Sequence, residues 1–166
     1  MNWRRAAGIA EGSVRAGESK RGLLVSEEDR WKLLVALDEE LLHGGVILSE
    51  WCSFLVRESD VAFANGAYLA CILTALSAIE THLRSEFQKS GKKRLVDLID
   101  SSDLEPELVC DLHTLRRYRN QWVHVSDPWD DQELIQNPVQ CEDELGRMAV
   151  FAVRALRRTI YSNPWI

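Results

Sequence analysis

Two residues break apolar patterns where a charge is expensive, and a third lies close enough to act with one of them. The series Leu108, Leu112, Leu115, Arg119 and Trp122 follows helical spacing, and Arg119 stands where a hydrophobic side chain is expected. Glu80 interrupts a second series, Leu69, Leu73, Leu76, Leu83 and Phe87, in the same manner. A buried charge without a partner is costly. Two opposite charges facing inward from neighbouring helices are therefore expected to pair. Such a pair is either an ion pair that fixes helix register or a polar pocket in which Glu80 orients Arg119. His124 follows Arg119 by five residues. An imidazole with a pKa near ~6.5 exchanges protons at neutral pH. Arginine stays charged and grips phosphate oxygens through a planar fork. On one continuous helix the two side chains diverge by about 140°, at about 100° per residue. A two-fold dimer that brings Arg119 of one chain to His124 of the other would overcome that divergence. No zinc spacing and no two-metal carboxylate pattern is present, so neither a metal nor another cofactor is called for.

Helices must position these residues. Ser26, with Asp29 three residues on, starts a helix carrying Trp31, Leu34, Leu37, Leu41 and Leu42 up to Gly44-Gly45. A second helix is predicted over 46–58, and a third, the longest, over 61–89. A short helix over 94–99 follows. Ser102 and Glu105 resemble a capping box, and Pro106 suits the first turn of a helix over 105–125. The last helix is predicted over 142–161. No alternating Val/Ile/Thr-rich segment competes with these elements. The fold class expected is all-α, an antiparallel bundle of four main helices with additional short helices. Residues 1–25 lack sustained periodicity and read as an N-terminal arm, leaving 26–166 as a single domain.

The 166 residues include 20 Lys and Arg against 26 Asp and Glu, a net charge of −6. A general basic coat for nucleic acid is excluded, although a local basic site is not. Residues 1–25 hold five basic residues and two acids. Residues 127–144 hold seven acids without a Lys or Arg. That run reads as a solvated connection, or as a strip that repels RNA or docks a basic partner. Cys52, Cys71, Cys110 and Cys141 are scattered, and no apolar leader or membrane-length segment is evident, so a cytoplasmic protein with reduced thiols is expected.

The segment Arg119-Asn-Gln-Trp-Val-His124 resembles the R-x(4–6)-H motif of the HEPN superfamily, with Asn120 directly after the arginine as in its commonest form. The likeness extends over roughly 46–161. It covers a long Ala/Leu-rich helix with an acidic residue (Glu80), a Lys-rich connection, a Pro-started helix ending in the motif, and a final amphipathic helix. The resemblance implies a metal-independent endoribonuclease of a toxin, phage-defence or RNA-processing system, acting across a homodimer cleft. It implies that His124 is the acid/base assisting attack of the ribose 2′-OH on the adjacent phosphate. Arg119 would stabilise the phosphorane-like transition state, Asn120 would hold the phosphate or position His124, and Glu80 would orient Arg119. An alternative within the family is a non-catalytic module that binds a nucleotide or a protein partner. Outside it, the residues also suit a helical interaction protein in which Glu80 and Arg119 are structural.

Around the motif, His113, Arg116 and Arg117 would contact an RNA substrate, with Tyr118, Trp122 or Trp129 available for stacking. Arg147, Arg154, Arg157 and Arg158 on the last helix, and Lys92, Lys93 and Arg94, would extend that path. An antitoxin or defence-system protein is the further partner implied. Some toxin-type members carry a regulatory Tyr two residues after the motif His; Ser126 occupies that position here.

Overall fold

In a computed structural model of the chain, residues 26–87 and 93–163 are described. The arm expected over 1–25 lies outside them. Among the described residues the chain forms seven helices and no extended strand, so it is all-α: α1 (Glu27–Leu41), α2 (Glu50–Ala64), α3 (Tyr68–Phe87), α4 (Leu95–Asp100), α5 (Pro106–Val123), α6 (Gln132–Gln136) and α7 (Pro138–Ile160). No helix among the described residues is long and apolar enough to cross a membrane. All four cysteines are free thiols.

Local chemistry explains most helix ends. Ser26 Oγ accepts the Asp29 N–H at 3.1 Å and caps α1 as expected. The predicted start of α2 at Val46 is corrected: Ser49 caps it, accepting the Cys52 N–H at 3.2 Å. The expected start of α3 at Val61 is also corrected, because α2 runs on to Ala64. Gly66, at φ 75°, then turns the chain into α3. A left-handed residue cannot continue a helix, and glycine adopts that conformation without a Cβ clash. The Arg30 guanidinium donates to the Ala64 carbonyl at 2.7 Å, satisfying an acceptor at the end of α2. Gly66→Ala should therefore cost about 1–2 kcal/mol. Urea unfolding would measure it. The added methyl would meet Arg30 only at ordinary contact distance, so the loss would be conformational.

Two further expectations fail for local reasons. The Ser102–Glu105 capping box does not form; Ser102 Oγ donates to the Ile99 carbonyl at 2.7 Å, and α5 begins at Pro106. The last helix begins at Pro138, earlier than predicted, and is longer than the described part of α3. The short α6 precedes it inside the acidic connection.

α2 and α3 form an antiparallel hairpin, in which Ser59 meets Cys71 and Cys52 meets Ala78. α3 also packs extensively on α7. Buried Ala75 and Ala78 on α3, and Ala149, Ala152 and Ala155 on α7, leave room for close backbone approach. α5 lies antiparallel to α7, with Asp111 against Arg158 at one end and Tyr118 beside Glu144 at the other. One continuous core, from Leu34 on α1 to Ile160 on α7, joins these layers.

The charged residue that penetrates this core is Arg157, 2% exposed. Its Nε donates to Asp38 at 2.8 Å, and its two terminal nitrogens reach Asp60 at 3.0 and 3.1 Å. The Tyr161 hydroxyl also donates to Asp38, at 2.7 Å. One guanidinium thereby ties α7 to α1 and α2 through charge-assisted bonds. Burial pushes the Asp60 carboxyl up, and the Arg157 contacts oppose that rise.

Candidate active site

α5 presents its core face through Leu108, Leu112, Leu115 and Tyr118. Tyr118 is 5% exposed and fills the place expected for Arg119. Steps of three and four residues both return to one helix face, so the neighbouring helices decide which side chain is taken in. Arg119 is left half-buried beside the stripe. Its Nη1 donates to Asn120 Oδ1 at 3.3 Å, which links the first two motif residues directly.

The expected Glu80–Arg119 pair is not the one formed. Glu80 pairs with Arg84, one turn along α3. Both of those side chains are partly exposed, as expected for an i,i+4 ion pair on a helix surface.

α5 ends at Val123, two residues earlier than predicted. His124 is its C-cap, at φ −127° and ψ 59°, and its backbone N–H still reaches the Asn120 carbonyl at 3.0 Å. The residue is exposed, and its imidazole makes no hydrogen bond or ion pair among the described residues. The 140° divergence calculated for a continuous helix no longer applies, because His124 has left the helical backbone. Half-buried Arg119 and Asn120 and exposed His124 thus follow one another at the C-terminal end of α5.

The other candidate contacts divide sharply. His113 Nε2 lies 2.9 Å from Asp100 Oδ1, and Arg117 is exposed and donates to Thr114 at 3.3 Å. Arg116 is half-buried, and its Nε is buried with no hydrogen-bond partner among the described residues. Tyr118 does not offer its ring for stacking. It packs against the half-buried Trp122 with ring centroids 6.2 Å apart. Burial, with the Glu144 carboxylate nearby, pushes the Tyr118 phenol well above its usual range. Trp129 is the open aromatic surface near the motif, 88% exposed.

The basic path expected along the last helix is corrected at three of its four arginines, and Arg147 remains exposed. Arg154 holds Glu40 at 2.8 Å, Arg158 holds Asp111 at 2.8 Å, and Arg157 is buried. Arg94 is likewise engaged, by Asp97 at 3.0 Å. These cations bind the helices together or cap them, and Lys92 lies outside the described residues. The Arg157–Asp38–Asp60 cluster escaped the sequence reading, although its signal was present. Arg157 follows Val153 by four residues, and Asp38 follows Leu34 by four, so each breaks an apolar stripe as Arg119 does. Among the described residues no three His, Cys, Asp or Glu side chains converge as metal ligands would.

No known protein family, no curated protein and no solved structure matches the chain.

Proposed function

We propose that the chain is a metal-independent endoribonuclease of HEPN type, a toxin or phage-defence effector acting as a homodimer in the cytoplasm. This reading takes the longer helices as the main members of an antiparallel bundle. The observation that carries it is the exposed end of α5, where Arg119 is bonded to Asn120 and an unengaged His124 follows. His124 accepts the ribose 2′-OH proton as that oxygen attacks the neighbouring phosphorus. Arg119 and Asn120 hold the non-bridging oxygens, where negative charge develops. The bond to the 5′-oxygen then breaks, and that oxygen leaves with a proton returned by an imidazolium or water. Glu80, engaged by Arg84, stands outside this reacting set.

The test is purified protein, alone and with candidate partner proteins, incubated with RNA in a metal chelator. The expected products carry 2′,3′-cyclic phosphate and 5′-hydroxyl ends. Intact RNA under every condition, or cleavage that needs added metal, would remove this reading. The non-catalytic alternative draws its support from the ion pairs of Arg154, Arg157 and Arg158, which take three arginines of the last helix out of any RNA path. Binding of RNA or a nucleotide without cleavage would favour it.

A further inference from the structure

Large exposed apolar side chains among the described residues fall in two stretches, 31–61 and 123–139. The second begins at the motif and comprises Val123, Val125, Trp129, Leu134, Ile135 and Val139. It includes α6, which packs on α7 and on no other described helix. Asn137 and Cys141 bond to Glu133 on the packed side, while Leu134 and Ile135 remain outside, the latter 69% exposed. The same stretch carries Asp127, Asp130, Asp131 and Glu133, and no Lys, Arg or His lies between Ser126 and Gly146. A surface both apolar and acidic fits a cationic segment with hydrophobic side chains. Its acidic part, from Asp127 to Glu133, disfavours a polyanion, and two-fold pairing of that part with its own copy would set like charges face to face.

Residues 1–25 have the complementary chemistry: Arg4, Arg5, Arg15, Lys20 and Arg21 against Glu11 and Glu18, with Trp3, Ile9 and Val14. They join the domain at Ser26. Twenty-five residues reach up to ~80 Å, against a radius of gyration of about 15 Å for a chain of this size. Attachment also raises the local concentration of such a segment to the millimolar range. The apolar face at 31–61 suits it less, since Lys32 and Arg57 lie among its acids, whereas 123–139 holds no Lys or Arg.

We propose that residues 1–25 dock on the acidic, apolar strip 123–139 of the same chain. Docked there, they lie beside His124. A regulatory meaning for that contact rests on the ribonuclease reading, whereas the docking itself does not.

The full chain carrying Trp3→p-benzoylphenylalanine provides the test. Irradiation and peptide mapping should place the cross-links within 123–139. Asp127→Lys, Asp130→Lys and Asp131→Lys together should lower their yield at least about tenfold, with helical circular dichroism retained. Arg4→Glu, Arg5→Glu and Arg15→Glu should do the same without altering the strip. Salt at ~1 M, where the Debye length is about 3 Å, should also weaken the link. Cross-links to 31–61, no cross-links, or yields unmoved by both charge reversals would overturn the docking. Links between isotopically light and heavy chains would put a second copy on the strip and overturn the intramolecular contact. Because the readout is a cross-link, failure here is distinct from failure of RNA cleavage.

Discussion

His124→Ala should reduce RNA cleavage by about 10²–10⁴-fold, the usual contribution of a positioned acid/base. Arg119→Ala should cost about 10²–10³-fold, as for loss of one preorganised donor to a developing oxyanion. His124 is exposed and Arg119 half-buried beside the core, so neither change should disturb helicity. Glu80→Gln should leave cleavage nearly unchanged, because its partner is Arg84. Activity retained by His124→Ala would exclude this imidazole as the proton carrier. A mixture of the two single variants tests the dimer separately. If each site takes Arg119 from one chain and His124 from the other, a mixed dimer keeps one intact site. With random pairing, about a quarter of wild-type activity should return on mixing. No recovery would mean either that each chain supplies its own pair or that both pairs act together.

Arg157→Ala should destabilise the fold by about 3 kcal/mol, because it strands the largely buried Asp60 carboxylate and unties the more exposed Asp38. That is a large share of the ~5–15 kcal/mol available to a typical domain. Arg157→Lys should recover only part of the loss, since an ammonium cannot bond Asp38 and Asp60 through one planar fork. Arg157→Met combined with Asp38→Asn and Asp60→Asn should recover more, because no stranded charge remains. The pH dependence has a definite sign. Burial already raises the Asp60 carboxyl, and in Arg157→Ala nothing from the guanidinium opposes it. A carboxyl raised in the folded state binds protons that the unfolded chain has released, so stability falls as pH rises through that window. The Arg157→Ala deficit should therefore narrow as pH falls toward the carboxylate range. Urea midpoints at several pH values would measure both effects, and a deficit below about 1 kcal/mol at neutral pH would show that the cluster is not a principal tie.

Helix identity was largely legible along the chain, and helix boundaries less so. Ser26 and Pro106 marked starts that the structure retains, because a cap or a missing N–H acts within one turn. The boundary between α2 and α3 was misplaced because the helical pattern was carried across Asn65-Gly66, where one residue at positive φ ends it. Ser102 does not cap α5 because its hydroxyl donates back to the Ile99 carbonyl of α4.

The sequence alone established an all-helical chain, singled out Arg119, Asn120, His124 and Glu80, and separated an acidic run from local basic clusters. Those are properties of composition and of periodicity within one helix. Only the tertiary structure decided which charges are buried, which are paired and which face water. A stripe-breaking charge at Arg119 and one at Arg157 look alike in sequence, since each lies four residues from an apolar neighbour. Packing separates them: α1 and α2 bring Asp38 and Asp60 to Arg157, whereas Tyr118 takes the core position on α5 and leaves Arg119 at the helix end. Burial of an ion depends on what a second helix supplies, and helical spacing carries no record of the partner.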